Sequence, residues 1–170
     1  RADHLGCYGH PLVQTPNIDS MSARGQTFDK FYVASPVCMP NRASLMTCRM
    51  PANHGVRMNG IPLSKRNVTF AQVLKEAGYK TALIGKSHLQ TFTGFEPMLK
   101  TPKPRDGYFR AEGPLREAVR HNLKEEEYAV ERPSFWSEPG ARVPTPFYGF
   151  DHVELVTGHG DKIGGDYSAW

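Results

Sequence analysis

The sequence predicts an α/β fold with a mostly parallel sheet. Thr69-Phe70-Ala71-Gln72 has the pattern of a helix capping box, and Gly78 is placed to end the helix that it begins. A run rich in β-formers, Tyr79 to Ile84, follows at once. A helix that leads directly into a strand is the unit from which parallel sheets are built, and such sheets bind ligands at the carboxyl ends of their strands.

Two earlier segments predict a strand and a helix on either side of a cysteine. Residues 28–34 alternate aromatic and polar side chains, which is typical of a strand, and Ser35-Pro36 would end it because proline lacks the N–H that a ladder needs. Good helix formers follow from Pro40. We therefore expect Cys38 to lie just ahead of a helix, where unpaired N–H groups and the helix dipole favour anions.

Three other segments complete the predicted elements. Thr15-Pro16-Asn17 opens a short helix, with Asn17 as its cap. Pro114 to Tyr128 is typical of a helix, whereas the proline-rich residues 132–146 predict an extended surface segment. Tyr148 to Val156 returns to the alternation of a strand.

The composition is that of an ordinary globular protein. The 170 residues are 39% apolar and 22% charged, and no apolar run reaches the 18 or so residues that a membrane span needs. A net charge of +4 suits a small anionic substrate, but the basic residues form no stripe with interleaved aromatics, so nucleic-acid binding is not expected. The three cysteines have neither metal-type spacing nor the pattern of a disulfide framework.

Candidate site residues occur at three places. Arg42, one turn after Cys38, can bring a permanent charge and a donor fork to it; the alternative is a buried cysteine beside an arginine that pairs with a carboxylate. Lys86 and His88 follow the predicted strand, and we expect them to point to one side of an extended segment, with plain surface residues as the alternative. Asn59 belongs to an Asn-Gly pair, which also has a purely backbone explanation as a turn.

The residues around the cysteine resemble a known family. Cys38-Met39-Pro40-Asn41-Arg42 matches Cys-x-Pro-x-Arg, the signature of the sulfatases within the alkaline phosphatase superfamily. Further segments resemble sulfatase motifs in the same order: Arg1 to Gly9, Thr15 to Asp19 and Gly85 to Leu89. The resemblance implies that residues 1–170 are the N-terminal portion of one catalytic domain, an alkaline-phosphatase-like three-layer sandwich. Its first core strand and C-terminal part would be missing, and residues 90–147 would be a loop or helical insertion.

The resemblance also implies a formylglycine-dependent sulfatase. Cys38 would be oxidised to formylglycine by a formylglycine-generating or equivalent sulfatase-maturing enzyme and then hydrated. One hydroxyl, polarised by Arg42 and a divalent metal, would attack the sulfur of a sulfate ester, and the second would let the aldehyde re-form and release sulfate. Lys86 and His88 would hold the anionic oxygens, and Asn59 would contact the substrate.

The implied cofactor is a divalent metal, Ca²⁺ in a sulfatase and Mn²⁺ or Zn²⁺ in a phosphonate-cleaving relative. Cys38 would bind the metal through its formylglycine oxygen, and the other ligands are expected outside the chain, so the chain alone would be inactive. We interpret His159 and Asp161, with Asp151 and His152, as loop residues rather than metal ligands. The partner would be a small anionic ester. Self-association and the compartment, whether cytoplasmic, periplasmic or secreted, are left open.

Two alternative functions stay open. A phosphonate monoester or phosphodiester hydrolase would use the same nucleophile; the Lys86-x-His88 pair favours the sulfatase, whereas residues 149–165 resemble the hydrolase. The other alternative is a non-catalytic anion-binding domain in which Cys38 stays a thiol. Cys48 stands where the family usually has glycine, and a redox pair with Cys38 is the further reading of that cysteine.

Overall fold

The computed structural model describes residues 2–92, 96–101, 103, 106–107, 122–159 and 164–169. The chain divides into two compact units, residues 1–32 and residues 33–170.

The first unit is held together by a threonine and an aspartate. It contains 3-10 turns at Ala2–His4 and Gly6–Tyr8, and helix α1 at Pro16–Arg24. Thr15, and not Asn17 as predicted, takes the N-cap position, because Pro16 already occupies the first helical turn. Thr15 Oγ1 donates to Asp19 Oδ1 at 2.9 Å, and this carboxylate oxygen of Asp19 also accepts the Cys7 N–H at 2.7 Å.

The strand predicted for residues 28–34 is wrong, because this segment is irregular in the structure. The Phe28 and Phe31 rings pack against each other with centroids 5.9 Å apart. Residues three apart point to opposite faces of a strand, so this contact is incompatible with the predicted alternation. A strand also needs a neighbouring strand to pair with, and none pairs with this segment among the described residues.

Helix α2, Cys38–Thr47, anchors the second unit. It buries Met39, Ala43 and Met46, which lie at i, i+4 and i+7 on one face. The helix ends at Cys48, whose φ of 54° is the left-handed conformation that glycine adopts at no steric cost. Glycine, which the family usually has at this position, adopts this backbone conformation readily.

A short helix follows and is tied to α2 by a buried histidine. Helix α3 covers Pro51–His54, and His54 Nε2 lies 2.9 Å from Ser44 Oγ. His54 Nδ1 accepts the Val56 N–H at 3.1 Å, so the proton of the neutral ring is on Nε2. Burial lowers the pKa of His54, which keeps the imidazole uncharged.

The helix-to-strand unit predicted from the sequence is confirmed. Helix α4 spans Phe70–Glu76 and has the full capping box, with the Thr69 N–H bonded to Gln72 Oε1 at 2.8 Å. Strand β1, Ala82–Gly85, then pairs in parallel with β2, His152–Thr157. The two-residue strand β3, Gly164–Gly165, pairs antiparallel with β2, so the sheet is mixed and the class is α/β.

The predicted helix at 114–128 lies mostly outside the described residues, and its described end is a 3-10 helix, Glu125–Tyr128. Helix α5, Pro133–Trp136, interrupts the segment predicted to be extended. A last 3-10 turn spans Asp166–Ala169. The insertion expected at 90–147 stays a prediction. Within the described ranges, no helix is long and apolar enough to cross a membrane.

One apolar core supports the second unit. Its members come from α2, from the segments after α3 and after β1, from α4, from the turn before α5 and from the residues that precede and form β2: Met39, Ala43, Met46, Val56, Ile61, Leu63, Ala71, Leu89, Val130, Phe147, Tyr148, Phe150 and Leu155. Gly149 packs directly on α4, since a Cβ there would lie 2.5 Å from Gln72 N. The sheet and α2 are thus joined through one continuous set of buried side chains.

Candidate active site

Cys38 is the first residue of α2 and is exposed, one position further into the helix than predicted. The N-cap residue, Val37, has no polar side chain for the first helical N–H groups. Asn59 supplies a hydrogen-bond acceptor instead, because its Oδ1 accepts the Met39 N–H at 3.0 Å. The predicted substrate residue Asn59 therefore lies at the helix end that carries Cys38, and its oxygen is engaged by the backbone.

Arg42 lies one turn after Cys38 on the same face of α2, because residues four apart are neighbours along a helix. Its Nη1 donates to the carbonyl oxygen of Lys86 at 3.0 Å. Lys86 directly follows the carboxyl end of β1. This hydrogen bond connects the signature helix with the strand end, the two places where the sequence predicts site residues.

The side chain of Lys86 lies in a small group of rings. Its Nζ is 4.8 Å from the centroid of the Phe92 ring and 3.4 Å from Nδ1 of His159. The aromatic face attracts the ammonium group. His159, which the sequence analysis interpreted as loop material, therefore belongs to this cluster of basic side chains.

His88 is buried, with only 2% of its surface exposed. Its φ of 53° departs from the extended backbone expected for the Lys86-x-His88 pair. The imidazole stacks on Phe92 with centroids 3.8 Å apart, so His88 and Lys86 still face the same ring. Lys86 and His88 are therefore near each other, as predicted, but through a left-handed residue and not through an extended backbone.

Burial is the largest of the effects that together lower the pKa of His88 to about 3, and the charges of Lys86, Arg42 and His159 act in the same direction. The imidazole is therefore neutral around pH 7 and has one N–H donor and one acceptor nitrogen. Its Nδ1 is buried and has no hydrogen-bond partner among the described residues. A neutral histidine with an unused buried nitrogen can still donate to, or accept from, a bound group.

Sequence reasoning missed Glu131, which is fully buried. Its carboxylate accepts the N–H groups of His88, Leu89 and Gln90 at 2.7, 2.9 and 2.9 Å. Burial raises the pKa of Glu131 to about 7, although these bonds act in the opposite direction. No local pattern separates this glutamate from the exposed acidic run at 125–127.

The sequence model of the sulfatase family matches residues 1–157. The chain belongs to the sulfatase family. This result confirms the resemblance drawn from the Cys-x-Pro-x-Arg motif and places the α/β fold in the alkaline phosphatase superfamily.

The chain is similar to several characterised sulfatases over part of its length. It is 40% identical to human arylsulfatase A over 114 residues, which are 62% of this chain and 21% of that protein. It is 38% identical to rat N-acetylgalactosamine-6-sulfatase over 109 residues, 55% of this chain and 20% of that one. The crystal structure of the Agrobacterium radiobacter phosphonate monoester hydrolase matches with a TM-score of 0.49 and 31% identity, over 63% of this chain and 20% of that chain. The sulfatase chain thus spans about a fifth of the length of these relatives.

The described part of this sulfatase chain does not fit a divalent metal on its own. It contains no group of three or more His, Cys, Asp or Glu side chains that could hold an ion. The acidic groups near the sheet have other partners: Asp151 binds Lys75 at 2.6 Å, and Asp166 accepts the Leu155 N–H at 2.6 Å. Around Arg42 the side chains are basic, which favours an anion and repels a free cation.

Proposed function

We propose that this protein hydrolyses sulfate monoesters and that formylglycine, formed by oxidation of Cys38, is its nucleophile. The substrate would be a small anionic ester whose sulfate group enters at the N-terminus of α2. Maturation would require a formylglycine-generating or equivalent enzyme, because a cysteine thiol is not oxidised to an aldehyde without a catalyst.

One observation carries the proposal: the hydrogen bond from Arg42 to the Lys86 carbonyl. It brings the exposed Cys38 helix end together with a strand end that bears Lys86 and His88. Backbone N–H groups at the start of a helix and a fixed guanidinium favour a tetrahedral anion. Family membership supplies the expected chemistry at the cysteine, and the basic surroundings supply the expected charge for the substrate.

The side chains would have separate roles in this reaction. A hydrated formylglycine supplies a hydroxyl that attacks sulfur and displaces the alcohol. Arg42 would stabilise the charge that develops on the oxygens beside residue 38, and Lys86 would hold a second sulfate oxygen as a point charge. His88, neutral in the folded protein, would exchange a proton with the leaving or attacking oxygen. Asn59 would orient the substrate through the amide nitrogen that the helix leaves unused.

The family resemblance implies Ca²⁺ at the site, with the oxygen on residue 38 as one ligand. The described residues offer no carboxylate set for such an ion. We therefore derive no step of the reaction through the metal and assign its remaining ligands to no residue of this chain.

The first test is chemical. The intact protein is expressed together with a formylglycine-generating enzyme, and the peptide that contains residue 38 is analysed by mass spectrometry. Oxidation of the thiol to the aldehyde lowers the peptide mass by about 18 Da. Finding only the unmodified thiol would support the non-catalytic anion-binding alternative instead.

The second test is kinetic. The Cys38→Ala variant cannot form the aldehyde, and we expect its rate on an aryl sulfate to fall by on the order of 10⁶-fold, as for loss of other enzyme nucleophiles. Cys48→Gly is the matched control, because it removes an exposed cysteine near the same helix and suits the left-handed backbone at 48. An equal loss in both variants would contradict the assignment of Cys38. A wild-type protein that cleaves an aryl phosphonate much faster than an aryl sulfate would point to the phosphonate hydrolase.

A further inference from the structure

Glu131 binds the backbone behind Lys86 and His88 from a distant part of the chain. It lies between the 3-10 helix Glu125–Tyr128 and helix α5, more than 40 residues after the segment that it contacts. One of its oxygens accepts the His88 N–H, and the other accepts the N–H groups of both Leu89 and Gln90. Three successive amides therefore converge on one buried carboxylate.

This arrangement fixes an unfavourable backbone. His88 has a φ of 53°, in the left-handed region that a residue with a Cβ adopts only at a steric cost. A left-handed residue in a turn lets successive N–H groups point to one side and bind an anion, so the bound carboxylate compensates for the strain. Above about pH 7, where Glu131 is charged, these hydrogen bonds are also about twice as strong as those between neutral groups.

The neighbouring contacts reinforce the same connection. Gln90 Oε1 accepts the Val130 N–H at 3.0 Å, and Gln90 Nε2 donates to the Glu127 carbonyl at 3.4 Å. Leu89 in turn accepts the Leu63 N–H at 2.8 Å through its carbonyl oxygen. The segment that follows β1 is therefore held on both sides, and Glu131 supplies the carboxylate on one of them.

We propose that Glu131 is a positioning residue for the sulfate site. Its carboxylate fixes the backbone of residues 88–90 and thereby sets the direction in which Lys86 and His88 present their side chains to the anion. The inference rests on the proposed function, because that function assigns the anion to Lys86 and His88. Glu131 itself contacts backbone amides and does not touch the substrate.

Glu131→Gln is the sharpest test because it preserves size and removes acceptors. A glutamine amide has one oxygen and one NH₂ group, so at least one of the three amides would face a donor instead of an acceptor. Glu131→Asp keeps the charge on a shorter side chain and serves as the conservative variant. Glu126→Gln, the same change at an exposed position in the adjacent 3-10 helix, is the matched control.

We expect Glu131→Gln to weaken binding of inorganic sulfate, measured by titration calorimetry on the intact protein, by about 10–100-fold, the size found for supporting residues in other sites. KM for 4-nitrophenyl sulfate should rise in parallel. Amide hydrogen exchange of residues 87–90 should become at least ten-fold faster, with no change in α4. Glu131→Asp should recover part of the sulfate affinity, and Glu126→Gln should match the wild type.

A purely structural role predicts a different result. In that case kcat would fall with the folded fraction, while KM and the sulfate affinity of the folded molecules would stay at wild-type values, and this outcome overturns the inference. If the wild type binds sulfate but hydrolyses no sulfate ester, the proposed function fails while the calorimetry still decides the role of Glu131. If the wild type binds no sulfate, both fail.

Discussion

The two halves of the candidate site are built in opposite ways. Cys38 and Arg42 belong to one helix and are brought together by its 3.6-residue repeat alone. The segment from Lys86 to Gln90 is irregular, and its shape depends on Glu131, a residue more than 40 positions away. Cys38 is exposed, whereas His88 is 2% exposed. The proposed nucleophile is thus placed by local structure, and the side chains proposed to bind the anion are placed by tertiary structure.

Apart from the loss expected for Cys38→Ala, the largest effect within this comparison is expected at Lys86. Lys86→Met keeps the length of the side chain but removes its charge, and the carbonyl that binds Arg42 is left in place. We expect kcat/KM for an aryl sulfate to fall by about 10²–10³-fold, or about 2.7–4 kcal/mol, as for loss of other donors to a developing charge. Steady-state kinetics of the intact, matured protein measure this.

Lys65→Met is the matched control, because Lys65 Nζ also lies over an aromatic ring, 5.6 Å from the Tyr128 centroid, but outside the site. Its kcat/KM should match the wild type. Equal losses at Lys65 and Lys86 would mean that the cation–π contact, and not the charge at the sulfate, matters.

A second prediction concerns the dependence of stability on pH in the anion-binding half. Between its ordinary value of 4.5 and about 7, Glu131 holds a proton in the folded protein that the unfolded chain has released. Its contribution to the free energy of unfolding therefore falls as pH rises through this window, by about 1.4 kcal/mol per pH unit. His88 acts in the opposite sense: between about 3 and 6.5 only the unfolded chain holds the proton, so its contribution rises with pH.

These two slopes should largely cancel between pH 4.5 and 6.5. Urea unfolding of Glu131→Gln should then show a free energy of unfolding that rises with pH, because His88, together with the less shifted His54, is no longer opposed. In His88→Gln the free energy of unfolding should fall as pH rises, because the contribution of Glu131 is no longer opposed by that of His88. Glu126→Gln should keep the shallow wild-type profile. Profiles that are the same in all four proteins would contradict the shifted pKa values of both groups.

The smallest effect is expected in the nucleophile half, at Asn59. Asn59→Ala removes the acceptor for the Met39 N–H and should lower the free energy of unfolding by about 1 kcal/mol, the usual value of a helix cap. Asn59→Asp keeps an acceptor at the helix start but adds a negative charge beside the bound anion. It should leave stability near the wild-type value and raise KM for the sulfate ester. An unchanged KM in Asn59→Asp would contradict the proposed contact between Asn59 and the substrate.

The difference between the two halves also explains what the sequence could predict. The capping box at Thr69 and the strand that ends at Gly85 were predicted because their signals lie within a few residues, and the same holds for the helix that begins beside Cys38. Glu131 could not be found, because its role depends on three amides that only tertiary packing brings to it.

Backbone conformation was the second source of error. Alternation assumes an extended chain, so it could not anticipate the left-handed residue at His88. It also predicted a strand at 28–34, where the aromatic residues Phe28 and Phe31 pack on each other instead of on a neighbouring strand. In both places the residue types do alternate with a period of two, but this alternation did not determine the backbone conformation.

The acceptor that Arg42 uses is a main-chain oxygen, which every amino acid at position 86 would provide. The guanidinium therefore keeps its anchor when the side chain at 86 is exchanged. A single substitution there can change which anion is preferred, or how strongly it is held, without disturbing the surroundings of the attacking group. The side chain at position 86 can therefore vary while the contact made by the guanidinium is preserved.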